Sequence, residues 1–504
     1  MKKLVAFLFY CFYCVNGLFA QEKPNIVVII SDDQAFQAIG AYGNKLIKTP
    51  GIDRIAKEGA IFQKAYVTNS LCGPSRASLL TGQYSHMNGF KDNTHSVFNH
   101  DRDSFAKRLQ AAGYQTAWVG KQHLGNKPQS FDYYSILPGQ GQYYNPDFIG
   151  MDGKMERVEG YVTNIITQKS EKWLDQRDRN KPFCIVIGHK ATHRSWAPDT
   201  ADFGKYDHIK FPIPANFYDT YKTRIAASQQ TMSVSKDMTL GYDLKMNTPE
   251  QELKDGLLKR MNAAQKTAWK KYYDPIRAKF IKENLTGKAL AEWKYQRYMS
   301  DYMNTAASLD RNINEVLNYL DKNNLTKNTI VIYLSDQGFY LGEHGWFDKR
   351  FMYEESFRTP FVMRYPGVIK PGTVNNDFVM NIDIAPTLLK AAGVAVPSTV
   401  QGESILPLFN AKTAKPREAI YYHYYEDRGE HNVSPQFGIK TARYKLIRYY
   451  DQVSGWELFD LKKDPKEMEN IYEKQENRGL ISTLKKQLAT LIDKYKDDEA
   501  KALL

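Results

Sequence analysis

Three aspartates and an amide stand at two distant points of this 504-residue chain, as Asp32-Asp33 and Asp336-Gln337, each directly behind a β-branched run. Four oxygen donors with no thiolate or imidazole among them suit a hard cation, Ca²⁺ or Mg²⁺, over zinc, and Ca²⁺ tolerates irregular geometry better. A single acidic pair behind a strand is commonly a helix cap. Two such pairs, with a reactive cluster between them in the chain, outweigh that reading. The cluster is Cys72-Gly73-Pro74-Ser75-Arg76, where Pro74 fits the first turn of a helix whose free N–H groups would favour an anion. Arg76 can hold an oxyanion through its forked donors; the plainer alternative is a buried thiol beside a surface ion pair. In Gly120-Lys121-Gln122-His123-Leu124-Gly125, Lys121 and His123 alternate along a segment read as extended, so both can face one pocket.

The run from Cys72 through Leu80-Thr81-Gly82 resembles the C-x-P-S-R-x-x-x-L-T-G signature of the type I sulfatases. Gly120 to Gly125 is similar to that family's G-K-x-H-L-G segment, and His189-Lys190-Ala191-Thr192-His193-Arg194 and Gly342 to Arg350 follow in the family's order. The resemblance implies an alkaline-phosphatase-like α/β sandwich. It also implies that Cys72 is oxidised to formylglycine by a formylglycine-generating enzyme, which makes that enzyme a partner. The hydrated aldehyde then serves as nucleophile, and Cys72 so modified joins Asp32, Asp33, Asp336 and Gln337 around calcium, the family's usual ion. One departure stands out: the last ligand is commonly Asn in sulfatases, and here it is Gln337. By the same resemblance Lys121 and Lys349 bind the sulfate, Arg76 holds the diol, His123 handles its proton, and His193 protonates the departing sugar oxygen. His189 and His344 are given scaffold roles.

Trp346 to Glu354, Trp293 to Tyr298 and Tyr421 to Glu426 resemble bacterial N-acetylglucosamine-6-sulfatases acting on host glycans. That likeness implies that Asp348 and Arg350 bind the sugar O4 and O3, a pairing that suits adjacent hydroxyls because one group accepts and the other donates. His431 is a further substrate-binding candidate, and Gln436 stands near where relatives would carry a second histidine. The implied partner is a sulfated glycan, whether a glycosaminoglycan or a mucin oligosaccharide. Sulfatases of another sugar position, a formylglycine-dependent phosphodiesterase or phosphonate hydrolase, and a catalytically dead glycan-binding protein are the competing readings. The intact proton carriers argue against the last.

To converge, these residues need strands that end together. Ile26 to Ile30, Gln115 to Val119, Phe183 to Ile187 and Ile330 to Leu334 read as buried strands alternating with helices, the pattern of a mostly parallel sheet flanked by helices. Ligands of such sheets bind beyond the carboxyl ends of the strands, where both acidic pairs fall. The segment from Asp202 to Lys288 reads as loops and helical pieces, followed by a long helix from Ala289 to Asn323 whose aromatics read as core. After Pro397 the pattern becomes antiparallel: strands at 419–425, 438–450 and 456–461, then a helix from Ile481 to Tyr495.

Met1-Lys2-Lys3 and the apolar stretch from Leu4 to Ala20 read as a secretory signal, too short for a membrane span of ~20 residues, and no comparable run follows. The expected organisation is a signal peptide at 1–20, a catalytic domain at 21–397 and a C-terminal subdomain at 398–504. A lipid anchor at Cys11 or Cys14 fits poorly because aromatic residues precede both. The protein is expected outside the cytoplasm, secreted or periplasmic. Of four cysteines only Cys72 and Cys184 lie beyond the leader, so no disulfide framework staples the fold. A formal net charge of +13 favours anionic partners, and no nucleic-acid-binding module is recognisable.

Overall fold

The computed structural model describes residues 23–410 and 415–504, so the leader expected at 1–20 lies outside the described residues. Strand β1 (Asn25–Ser31) opens the fold, followed by helices α1 (Pro50–Glu58) and α2 (Cys72–Thr81) and strand β2 (Gln115–Lys121). Helix α3 (Val162–Gln176), strand β3 (Phe183–Gly188), helix α4 (Gly287–Lys322) and strand β4 (Thr329–Ser335) complete the catalytic framework. The four strands run parallel in the order β4-β1-β3-β2 at the heart of a ten-stranded sheet. Tyr133–Leu137 adds a further parallel strand beside β2, and Phe361–Arg364 pairs antiparallel with β4.

Side-chain alternation along β1 divides the interior in two. Val27 and Ile29 join the core beneath α1, α3 and α4, whereas Ile26, Val28 and Ile30 join the core under α2 and the Phe105–Ala111 and Ile384–Ala391 helices. All five are fully buried, each contributing roughly 1.5–3 kcal/mol by removal from water. Central parallel strands are covered on both faces, which is why the sequence reads as an unbroken apolar run.

Two segments differ from the sequence expectation. The strand expected across 438–450 is a hairpin, Gln436–Thr441 and Tyr444–Tyr449, turned at Ala442-Arg443 where Thr441 Oγ1 accepts from Tyr444 N at 2.9 Å. Its turn contains no Gly, Pro, Asn or Asp, so the usual punctuation is missing. Within the region read as loops and helical pieces, one helix, Ala263–Glu283, is longer than a piece at 21 residues despite Pro275; Asn262 and Gln265 close a capping box at its start, and Trp269 and Tyr273 anchor it.

The C-terminal sheet has four antiparallel strands, Ala419–Tyr424, Gln436–Thr441, Tyr444–Tyr449 and Gly455–Asp460, packed against Arg478–Tyr495 through Leu484, Leu488, Ile492 and Tyr495. It buttresses the site from behind. Tyr422 Oη donates to Arg350 O at 2.6 Å and accepts from Ser70 N at 3.2 Å, so a single ring steadies both the loop before Cys72 and the loop carrying Lys349. Among the described residues no helix is long and apolar enough to cross a membrane.

Candidate active site

The register of the parallel strands sets the site. Ser31 pairs with Ser335 and Ile30 with Gly188, so the residues leaving β1, β3 and β4 emerge at one level. Gly120 and Gly188 allow β2 to close on β3: a Cβ on Gly120 would sit 2.1 Å from Gly188 O, and one on Gly188 would sit 2.2 Å from Lys121 O. Only glycine at both positions brings Lys121 to the cluster without a backbone clash.

Asp32, Asp33 and Asp336 are buried, and their carboxylate oxygens lie within 4.8 Å of one another. Asp336 N donates to Ser31 O at 3.1 Å, and Asp33 N donates to Asp336 Oδ1 at 3.1 Å. Asp33 itself has φ 63, which turns its carboxylate back toward Asp32, and Tyr302 of α4 donates to Asp33 O at 2.7 Å to hold that turn. Gln337 Nε2 donates to Asp33 Oδ1, leaving Gln337 Oε1 buried with no hydrogen-bond partner. Three clustered carboxylates and an amide oxygen unpartnered among the described residues make a donor set whose chemistry suits a hard divalent cation. Arg76, Lys121 and Lys349 already balance the three aspartates, so a bound dication would leave the cavity positive toward an anionic substrate.

Cys72 opens α2 against this cluster. Its Sγ lies 3.3 Å from Asp32 Oδ1, 3.5 Å from Lys349 Nζ and 3.7 Å from Gln337 Nε2. Burial, and then the Asp32 charge, push the thiol up from its ordinary range, so as encoded it is not a thiolate nucleophile near neutral pH. The first turn of α2 offers less to an anion than its sequence suggests. Gly73 N donates to Asn93 Oδ1 at 3.0 Å, Pro74 has no N–H, and Ser75 N donates to Leu71 O at 2.9 Å. The role of this segment is instead to grip Asp336: Arg76 Nε reaches Asp336 Oδ2 at 2.9 Å, its Nη1 reaches Lys121 O at 2.9 Å, and Ser75 Oγ bonds Asp336 O. Arg76 is fully buried, which rules out a surface ion pair.

Lys121 Nζ bonds Asp32 and the amide oxygen of Gln140, while Lys349 Nζ lies 2.7 and 2.8 Å from the two oxygens of Asp33. Burial works to raise Asp32, but Lys121, His193, Arg76 and Lys349 hold it well below the usual carboxylate range. Burial, only partly offset by Lys349 and reinforced by Asp32, pushes Asp33 up to about 6. Burial and Asp32 push Asp336 to about 7 against the pull of Arg76. His193 donates from Nδ1 to Arg194 O at 2.7 Å, because a carbonyl only accepts, so its Nε2 faces the cluster 3.8 Å from Asp33 Oδ2.

His123 reaches the cluster by a route other than alternation. Strand β2 ends at Lys121, and His123 adopts φ 58, so a left-handed turn beyond the strand carries it to the same pocket as Lys121. Asp348 and Arg350 are likewise left-handed, with φ 78 and 91, and buried. Such conformations in non-glycine residues cost about 1–3 kcal/mol each and persist where surrounding bonds over-determine them. Here Tyr340 N donates to Asp348 O at 2.9 Å, Lys349 N to Asp348 Oδ1 at 2.8 Å, and Tyr422 Oη to Arg350 O. Arg350 contacts Asp348 at 3.1 Å and Glu426 at 2.6 Å, and His431 Nε2 lies 3.4 Å from Asp348 Oδ2.

All thirteen expected site residues thus fall in one continuous region: ten around the carboxylate cluster, and Asp348, Arg350 and His431 on its Lys349 side. Gln436 does not join them. It accepts from Met352 N at 3.1 Å and is a buried support of the loop. Four further residues of this region, Gln140, Asn93, Glu426 and Lys190, were not among the expected site residues; Lys190 and Glu426 lie inside segments that resemble the family, and Gln140 stands between two glycines.

A model of the Sulfatase family matches residues 24–394. The chain belongs to the sulfatase family. A second model, N-sulphoglucosamine sulphohydrolase, C-terminal, matches residues 342–494 of this sulfatase. The enzyme is 47% identical, over 95% of its chain and 88% of the relative's, to an N-acetylglucosamine-6-O-sulfatase of Bacteroides thetaiotaomicron. It superimposes with a TM-score of 0.92 and 47% identity, covering 94% of its own chain and 99% of the other, on a protein solved in complex with its substrate D-glucosamine-2-N,6-O-disulfate. A phosphonate monoester hydrolase of Agrobacterium radiobacter shares the fold at a TM-score of 0.68 and 17% identity, covering 94% of this chain and 96% of that one. The sulfatase is a sulfuric ester hydrolase whose large mixed sheet, helical flanks and small antiparallel C-terminal sheet are those expected from its sequence.

Proposed function

We propose that this sulfatase removes the 6-O-sulfate of N-acetylglucosamine in sulfated glycans, with a formylglycine made from Cys72 and a calcium ion held by Asp32, Asp33, Asp336 and Gln337. The observation that carries the substrate is the 47% identity over 95% of the chain to an N-acetylglucosamine-6-O-sulfatase. The buried Asp348–Arg350–His431 set beside Lys349 supports it, since a sugar held through O3 and O4 there would direct C6 toward the carboxylate cluster. The amino-terminal segment supports export, and the change of pattern after Pro397 supports a division into a catalytic domain at 21–397 and a subdomain at 398–504.

Oxidised to formylglycine by its maturation enzyme, Cys72 supplies a hydrated aldehyde, a hydroxyl nucleophile that can later leave by restoring its carbonyl. Held by Asp32, Asp33, Asp336 and Gln337, a bound cation would supply Lewis-acid charge to the reaction. The chain's own residues do the rest. Lys121 and Lys349 flank the cluster and hold the sulfate oxygens in place, offsetting charge as it shifts during transfer. Arg76 fixes Asp336 and faces the modified residue 72. His193, its Nδ1 committed to Arg194 O, delivers a proton from Nε2 to the departing sugar oxygen. Burial, opposed by Asp32 but reinforced by Lys121, Lys190 and Lys349, holds His193 well below the ordinary imidazole range, so the ring needs the negative charge of the bound sulfate beside it to carry that proton. His123 accepts the remaining hydroxyl proton when the sulfate is released.

The test is sulfate release, followed by ion chromatography, from N-acetylglucosamine 6-sulfate, its 3-sulfate and N-acetylgalactosamine 6-sulfate, beside phenol release from an aryl phosphodiester. Peptide mass spectrometry of position 72 and a Cys72→Ala control accompany it. A preference for another substrate, or full turnover by an unmodified thiol, overturns the reading.

A further inference from the structure

The two lysines of the reaction centre lead to different surroundings. Lys349, on Asp33, continues into Asp348 and Arg350; Lys121, on Asp32, continues through Gln140 into a groove of about 730 Å³. The groove runs from His193 past Tyr143 and Lys190 toward Tyr242 and Leu257. Most cations along it are spoken for. Arg194 pairs with Asp243 at 2.6 Å, Lys245 with Asp301 at 3.1 Å, Lys254 with Glu250 at 3.4 Å and Arg260 with Asp147 at 2.8 Å.

Lys190 differs from these. It is 5% exposed and lines the groove, yet among the described residues no carboxylate lies within ion-pair distance of it; its contact is the Tyr143 ring, 4.9 Å from Nζ. Tyr143 is fixed in turn by donating to His193 O at 2.5 Å. A buried ammonium without a carboxylate at ion-pair distance is held at a cost, and burial, with Lys121 acting in the same sense and Asp32 and Asp33 opposing from farther off, pushes Lys190 down to about 7. At the groove's rim Tyr242 is 60% exposed, an aromatic face of the kind sugar rings stack on.

We propose that Lys190 and this groove form a subsite for a second anionic group of the substrate, on the anomeric side of the sulfated sugar. The orientation rests on the reading above: with C6 at the reaction centre and O4 on the Asp348 flank, the ring oxygen and C1 turn to the opposite flank, where the groove begins. The matching chemistry is a carboxylate or sulfate, carried by the next sugar or by the same one.

The test compares kcat/KM of the mature enzyme on four substrates. These are N-acetylglucosamine 6-sulfate, glucosamine 2-N,6-O-disulfate, and 6-sulfated N-acetylglucosamine joined through C1 to a uronic acid or to a neutral sugar. The wild type should favour a doubly anionic substrate over its neutral counterpart by about tenfold, the worth of one charge-assisted contact. Lys190→Gln and Lys190→Met should bring that ratio near one, and Lys190→Arg should keep it. Preference for the disulfate places the second anion on the same sugar; preference for the uronate places it on the next. A wild-type ratio of one overturns the proposal without any variant, as does a ratio unchanged by both neutral substitutions. Absence of wild-type turnover on every 6-sulfated sugar would instead sink the assigned substrate.

Discussion

Lys349 Nζ stands 2.7 and 2.8 Å from the two carboxylate oxygens of Asp33, a residue 316 positions earlier in the chain. Lys121 bonds one oxygen, Oδ2, of Asp32, so the paired aspartates behind β1 are each held by a lysine from a different segment. Both contacts are buried, where charge is poorly screened and misplacement is costly. The arrangement aims two ammonium groups at a single point, the Cys72 end of α2.

Replacing either lysine should therefore damage catalysis more than substrate capture. Lys349→Ala and Lys121→Ala are each expected to lower kcat by about 10²–10³, the usual loss for one preorganised charge at a reacting oxyanion. Steady-state kinetics on the preferred sulfated sugar check this. A loss confined to KM would contradict it.

If the cluster holds the proposed cation, removing it should cost both activity and stability, because Asp32, Asp33 and Asp336 then crowd one another in a buried site. Chelator treatment is expected to lower the melting temperature and abolish turnover, with Ca²⁺ restoring both. Asp33→Asn should weaken that calcium response. A chelated enzyme with unchanged melting and turnover would show that the cluster holds no ion.

On the proposed assignment of His193 to the leaving group, the damage from His193→Asn should depend on that group. Turnover of a sugar sulfate is expected to fall by about 10²–10⁴, whereas an aryl sulfate, whose phenolate departs without protonation, should lose far less. Equal losses on both would point to a role in binding or folding.

His189 is fully buried, neither ring nitrogen has a hydrogen-bond partner among the described residues, and burial pushes it down to about 3. The unfolded chain takes up a proton near pH 6.5 and the folded chain does not. Stability from this residue is thus complete above that pH and is lost as pH falls toward 3. Between pH 7 and 5 its share is about 2 kcal/mol. Urea unfolding of His189→Leu should show a correspondingly shallower acid loss than the wild type. An identical pH dependence would mean that the ring is solvated in solution.

Motif and periodicity carried much of the framework. The apolar runs beginning at Ile26, Phe183 and Ile330 specify strands because side chains buried on both faces leave no polar alternation. The acidic pairs directly after two of them locate the strand ends. Less local features left little trace. The 442–443 turn lacks turn residues, and the capping box that starts the Ala263–Glu283 helix competes with an internal proline. His123 was read as strand because Lys-x-His alternates, whereas the chain turns left-handed after Lys121.

By itself the sequence determined which groups could react, since residue type, order and short spacing are local properties of the chain. Only the tertiary structure decided who meets whom: that Lys121 faces Asp32, that Lys349 faces Asp33, and that Lys190 faces a groove with no carboxylate partner among the described residues. Those pairings depend on sheet register, on two glycines that let strands close, and on a distant tyrosine that steadies two loops. Each joins residues far apart in sequence, whose meeting is fixed by packing rather than by any pattern between neighbours.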